Sequence, residues 1–391
     1  MRIRALALSL LLSASAFAQV DPLNNLSGTT PGTGPSPWIR SGSGSLTFFH
    51  GFDVHVTHLS QTGPEEQEND TFSTNWFAAG AQFALGDRAF VLARGRVSLE
   101  PYTIEDDYAQ FFQYVPEDGL IDHMRPHDLF GEVAVQAGYR PTAGTLVSIY
   151  GALVGQPALG AAPAQLRSSG VDFAEAPFTY ELMETMHDST SVVTAGFATQ
   201  LFSVEASLFR DGATTGDHTE LDTGDIDSRS ARVTLTPLPN LAIQVSRGEL
   251  GTNDDQPATN ERELTSASIT YAGARAALTA LWTSRSFPND PVRETATAYG
   301  IEVALRASRN TFMARLEHID RPGGFPRNPR FGQDVEAATH YTAGYIFDFV
   351  PNTRYKLGVG INIDYRTKTR DLEDIYGHKP QGIYTFVRFR T

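Results

Sequence analysis

The chain has 391 residues, a formal net charge of -14 and no cysteine, with 19% charged and 41% hydrophobic residues. A phosphate backbone wants a basic face, so this acidity argues against nucleic acid as a partner, and the missing cysteines exclude disulfides, thiolate metal sites and a lipid-anchored N-terminus. No stretch after the N-terminal leader approaches the ~18 consecutive apolar residues that a membrane-spanning helix needs.

Met1 to Ala18 opens with Arg2 and Arg4, continues through the apolar run Ala5 to Leu12 and ends in Ala16-Phe17-Ala18. This is the pattern of a cleaved secretory signal peptide, whose removal takes the formal charge to about -16. Residues 19–43 are rich in Gly, Ser, Thr, Pro and Asn and are expected to form a flexible lead-in, so the folded unit is expected over residues 44–391.

From there the chain is a series of segments with a period of two. In Tyr355 to Arg366 the apolar residues Tyr355, Leu357, Val359, Ile361, Ile363 and Tyr365 alternate with Lys356, Gly358, Gly360, Asn362, Asp364 and Arg366. A helix would space its apolar residues three and four apart, so this pattern predicts a strand with one apolar and one polar face. The same alternation runs through Arg88 to Tyr102, Leu129 to Arg140, Val193 to Leu201, Ser230 to Leu235, Tyr299 to Arg306 and Tyr341 to Phe349.

The links between the segments alternate as well. Short ones fall near Gly86-Asp87, Pro141-Thr142, Leu201-Phe202, Pro237-Leu238-Pro239, Ala272-Gly273, Ser308-Arg309 and Pro351-Asn352, and long polar ones lie between them. Ten-residue alternating strands joined by short and long links in turn predict an all-β, single-domain transmembrane antiparallel barrel of about 16 strands, with 14 to 18 as the range. An even count lets the sheet close and places both termini on the short-turn, periplasmic side.

Together these features resemble the porin-like outer-membrane β-barrels of Gram-negative bacteria. Within them, Pro126-His127-Asp128, Gly155-Gln156-Pro157-Ala158-Leu159-Gly160, Ala176-Pro177 and His187 resemble one set of such barrels, from which Gln156 and Gln165-Leu166 depart, where that set carries Glu and Met-His. The resemblance implies the outer membrane as location, membrane lipid and the barrel-assembly machinery as partners, and leaves a homotrimer open; it carries no activity over.

On the predicted faces, Arg94, Arg96, Arg232, Arg306, Arg315, Lys356, Arg366, Arg388 and Arg390 project to the same side as Glu100, Glu132, Glu205, Glu302, Glu317 and Asp364. Charges on an inner face need water or counter-charges, so they are expected to line a wet or salt-bridged lumen. The long link 155–189 is too apolar for a solvated loop and too broken by Gly and Pro for one helix. It is expected to fold into the barrel as a constriction, burying Leu159, Leu166, Phe173, Phe178, Leu182 and Met183 with Arg167, and to form a short helix around 178–186.

His123, His127 and His187 are candidate metal ligands on neighbouring loops, yet they lack a tight ligand spacing and no metal is expected. On the first strand, Asp53 and His55 are expected inside and His50 and His58 outside. GxSxG and GxxxxGK[ST] are absent, so no enzyme and no cofactor are expected. The function predicted is an outer-membrane channel for passive diffusion of small hydrophilic solutes or ions. The competing reading is a non-conducting barrel with a binding or structural role.

Overall fold

The computed structural model describes residues 39–41, 45–62, 70–104, 109–115, 120–123, 127–183, 189–211, 218–221, 223–251, 261–289, 295–320, 337–350, 355–368 and 381–391. Its strands are β1 Ile39–Ser41, β2 Leu46–Thr62, β3 Asp70–Leu85, β4 Ala89–Val97, β5 Ala109–Val115, β6 Leu120–His123, β7 Phe130–Tyr139, β8 Thr145–Val154, β9 Ser189–Thr199 and β10 Phe202–Asp211. The second half holds β11 Ser228–Leu238, β12 Leu241–Leu250, β13 Arg262–Ala272, β14 Ala276–Ser286, β15 Ala296–Ala307, β16 Asn310–Asp320, β17 Ala337–Asp348, β18 Lys356–Lys368 and β19 Gln381–Arg390.

Sixteen of these, β2–β4 and β7–β19, pair antiparallel in chain order, and β19 returns to β2 with Gln381 opposite Thr62 and Arg390 opposite Asp53. The circle therefore has no open edge, which is the condition for carrying strands through hydrocarbon. The two-period pattern of the sequence becomes the two faces of this wall: on β19 and β11 every second residue is exposed and every other one buried.

What lies on each face is the reverse of a soluble barrel. The exposed outer residues are apolar, such as Ile149 at 57%, Val245 at 54% and Val135 at 52%, while the buried inner ones are polar, as Ser203, Glu205, Ser207, Arg232 and Thr234 are. Apolar side chains facing out and polar ones facing in suit a lipid surround. Aromatic rings gather near the short-turn end, where Phe52 meets Phe389 at 4.8 Å and Tyr355 at 6.1 Å, and near the long-loop end, where Tyr341 and Tyr365 stack at 6.2 Å. Such amphipathic rings settle at the two interfaces of a bilayer.

Tight turns close one end of the barrel. Gly86 takes φ +68° between β3 and β4, and Ser308 takes φ +56° in the two-residue link between β15 and β16. The left-handed conformation fits the strand twist that a two-residue hairpin must follow.

Two details differ from the sequence reading. Ile39–Ser41, inside the expected lead-in, pairs with Phe48 to His50 of β2. It continues the seam where Thr391, beyond β19, donates its backbone N–H to Phe52 O at 3.1 Å. The long link after β4 holds a hairpin, β5 and β6, which forms a two-stranded sheet of its own, with a register shift between Ala109 and Tyr114. The short helix expected around 178–186 is present as Tyr180–Met183, and 184–186 lie outside the described residues.

Candidate functional site

The segment 155–183 follows the fifth barrel strand and lies inside the barrel. Ala158, Leu159, Phe173, Ala174, Leu182 and Met183 are each at most 5% exposed. Its apolar residues find partners on the wall: Leu159 packs with Tyr150, Phe209, Leu250 and Leu264, and Leu182 and Met183 with Leu281, Ala298 and Ile319. Burying a side chain such as Leu159 contributes roughly 1.5–3 kcal/mol, so these positions draw the loop inward.

Hydrogen bonds then fix its path. Ala158 N–H donates to Ser207 Oγ at 2.7 Å and Gly160 N–H to Ser246 Oγ at 2.9 Å, while Gln244 Nε2 donates to Gly160 O. These hold the descending limb against β10 and β12. The loop next crosses to β14 and β15, where Arg167, 1% exposed, grips Glu302 with two parallel bonds of 3.0 Å and 2.7 Å. Such a fork is the strong geometry for a guanidinium on a carboxylate. Arg315 reaches the same carboxylate at 3.3 Å and lies over the Phe173 ring at 4.0 Å. Gly170 passes so close that a Cβ there would meet Ala164 O at 2.7 Å and Glu302 Oε2 at 3.0 Å, so only glycine fits.

Asp172 receives Arg306 at 2.6 Å, Arg390 at 2.7 Å and also Arg388, which in turn holds Asp348 at 2.5 Å. The ascending limb is tied by Glu175, whose Oε2 accepts from Asn362 Nδ2 at 3.3 Å, and by Thr179, whose N–H and Oγ–H both donate to Glu317 at 3.0 Å and 2.8 Å. Beyond it Glu317, His340, Asp364 and Arg366 form a chain of buried charges with separations of 3.4, 3.0 and 2.5 Å. Other inner charges pair without the loop: Arg94 with Glu132 at 2.9 Å, with Tyr150 donating to that carboxylate, and Arg232 with Glu205 at 2.7 Å. Buried charges persist only in such pairs, because an unpaired one carries its full desolvation penalty.

Against β2 and β3 the contacts are thinner. Thr74 Oγ donates to Ala174 O at 3.4 Å, and Ala176 packs beside Leu59 and Phe72. Between loop and wall lies a cavity of about 60 Å³ lined by Asp53, His55, Trp76, Glu100, His127 and Glu175, with no Lys or Arg among its described lining residues.

No protein-family model matches the sequence, and no curated protein matches it. Solved structures do match its fold. The OmpF of Salmonella typhi, in complex with daunomycin, aligns over 90% of this chain and 100% of its own at a TM-score of 0.57 and 9% identity. The OprB of Pseudomonas putida covers 89% and 94% at 0.55 and 14%, and the anion-selective porin of Comamonas acidovorans 89% and 99% at 0.53 and 12%. The fold is that of a porin-like outer-membrane β-barrel.

In this porin-like barrel the residues singled out in the sequence divide into groups. Arg94, Arg96, Glu132, Arg232, Glu302, Arg315, Asp364, Arg366 and Arg388 are buried on the inner face, and Lys356 and Arg306 are half-buried at its short-turn end. Glu100 stands apart, in a 3-10 turn (Glu100–Tyr102) just past β4 rather than on a strand. There it accepts N–H bonds from Asn75 at 3.0 Å and His127 at 2.9 Å, with the His127 ring against the same carboxylate. Burial alone would raise the Glu100 carboxyl, but His127 and these N–H groups outweigh it and hold the acid below its ordinary range.

Asp53 and His55 face inward, and His50 and His58 are exposed on the outer face. Of the loop residues, Leu166 and Phe178 are half-buried, and the other five are buried. Among the described residues no group of three His, Cys, Asp or Glu is placed to hold a metal. His127 is engaged by Glu100, while the His123 side chain and His187 fall outside the described residues. Sequence reading missed Asp172, Glu175, Trp76 and His218, which meets Asp128 at 2.7 Å. Asp172 and Glu175 lie in a non-periodic loop, where no alternation marks a face.

Proposed function

We propose that this barrel is a narrow outer-membrane channel for the passive diffusion of small hydrophilic solutes or ions, with a preference for cations. The observation that carries the reading is the asymmetry of the inserted loop. It is fixed by charge pairs to β14–β19 and lies only lightly against β2 and β3, where the remaining space is lined by Asp53, Glu100 and Glu175. The described lining of this space holds carboxylates and no Lys or Arg, with Arg390 standing 3.9 Å from Asp53, and such a lining favours cations over anions. The outer membrane is the proposed location, reached with removal of residues 1–18.

The test is conductance of the purified full-length barrel in a planar bilayer, with the reversal potential measured in a potassium chloride gradient. Discrete, long-lived openings with a reversal potential on the potassium side are expected. A folded barrel that gives no openings over a wide voltage range would overturn the channel and leave the second reading, a non-conducting barrel. That alternative is favoured by one observation: inner-face residues such as Glu205, Ser246, Thr279 and Asn362 are no more than 2% exposed.

A further inference from the structure

Most buried carboxylates of the lumen have a guanidinium or imidazole partner, as Glu100 has in His127, but Asp53 and Glu175 in the cavity between the loop and the β2–β3 wall are placed differently. Asp53, His55, Trp76 and Glu175 are 3%, 5%, 4% and 5% exposed and line it. Within the protein, both Asp53 carboxylate oxygens, His55 Nε2, Trp76 Nε1 and Glu175 Oε1 have no hydrogen-bond partner. The cations near Asp53 stand off, with His55 Nδ1 at 3.7 Å and Arg390 Nη1 at 3.9 Å. Arg390 is itself committed to Asp172 at 2.7 Å.

A buried polar atom left unbonded costs about 1–3 kcal/mol, and more when it is charged. Several of them lining one small space form a recognition surface, and their types define what completes it. Three carboxylate oxygens accept, the indole N–H donates, and the imidazole nitrogen does either according to its tautomer. The complement is a group with several N–H donors and a positive charge, joined through a short linker to an oxygen with a free lone pair.

We propose that this cavity is a binding site for small hydroxylated ammonium solutes. The ammonium is accepted by Asp53 and Glu175, and the solute oxygen takes the Trp76 N–H. This deepens the cation-selective reading and rests on it for the route of entry, although binding itself needs no conduction. The volume of about 60 Å³ suits a solute of a few heavy atoms.

The experiment is isothermal titration calorimetry of 2-aminoethanol into the full-length barrel in detergent, with ethylene glycol and glycolate as neutral and anionic controls. Saturable binding of 2-aminoethanol alone is expected, weakened at least tenfold, by the calorimetric Kd, in Asp53→Asn and Glu175→Gln. Trp76→Phe, which keeps the ring and removes the donor, is expected to weaken 2-aminoethanol but not methylammonium, and it carries the test should either carboxylate variant lose its heat-modifiable mobility on gels. Absence of saturable binding to the folded wild-type barrel, equal binding of glycolate, or unchanged affinity in the folded variants would overturn the site. Bilayer conductance on the same preparation separates the two readings: binding without openings leaves the site standing and removes the channel, and openings without binding do the reverse.

Discussion

The two walls of the lumen treat the inserted loop in opposite ways. On the β14–β19 side, Arg167, Ser169, Asp172, Glu175 and Thr179 are each met by a polar partner from the wall, and Glu302 alone serves Arg167, Ser169 and Arg315. On the β2–β3 side the loop offers a backbone oxygen to Thr74 and small side chains to the wall. The loop is thus a shelf tied by its descending limb to β10 and β12 and by its charged residues to β14–β19, with few contacts toward β2 and β3. Among the described residues a cavity lies along the β2–β3 edge, and Asp53, Glu100 and Glu175 are the acids that line it.

The largest effect should come from removing the shelf altogether. Deletion of 156–186 is expected to raise single-channel conductance several-fold and to weaken cation preference, because Glu175 leaves with it. Unchanged conductance would place the loop outside the conducting path and end the comparison between walls. The next effect is on the fixed edge itself: Glu302→Gln leaves Arg167 and Arg315 buried without their shared anion, a loss on the order of 3–5 kcal/mol. A lowered urea midpoint of the barrel in lipid vesicles, or proteolytic cleavage of the loop under native conditions, would report it. An Arg232→Met, Glu205→Met double variant provides the contrast. Replacing that pair whole with apolar residues should be nearly neutral, since no charge is left unpartnered.

A smaller change should sharpen the electrostatic side of the comparison. Asp172→Asn removes the anion shared by Arg306, Arg388 and Arg390 while leaving Arg388 with Asp348. The variant is expected to fold and to shift the reversal potential toward chloride, as uncompensated guanidinium charge faces the lumen. A shift toward potassium would mean that this cluster does not face the conducting path.

The circular wall was legible in the sequence because a strand with lipid on one side and a polar lumen on the other must alternate. That constraint is renewed every ten residues, so Tyr355 to Arg366 or Tyr341 to Phe349 could be assigned to faces without other information. The loop was legible as an inward segment through Leu159, Phe173 and Leu182, whose burial nothing outside the barrel could supply. Its attachment was not. Which wall Asp172 meets depends on chain reversal at Gly170 and on barrel closure, which brings Arg390 of the last strand beside Asp53 of the first long one. Glu100 misled for a related reason: alternation continues through Leu99, yet the strand ends at Val97 and Pro101 opens a 3-10 turn, which turns the carboxylate toward His127.

That rim contact gives the smallest and most specific expectation. In the folded chain the Glu100 carboxyl is lowered: burial opposes ionisation, but His127 and the N–H groups of His127 and Asn75 favour it more. A lowered carboxyl contributes stability that is fully present above its unfolded value of about 4.3 and is lost only as pH falls through the lower folded value. The link between the end of β4 and residues 127–129 should therefore stay closed down to mildly acidic pH and open below it. Glu100→Gln should remove this pH dependence and cost about 1–3 kcal/mol locally, since a neutral amide forms a weaker bond to the ring. Amide exchange at Asn75 and His127 reads the result directly: both sites should exchange faster in the variant at neutral pH, while exchange in β14 and β15, on the opposite wall, stays as it was. Faster exchange on both walls would mean that the two edges of the shelf are coupled.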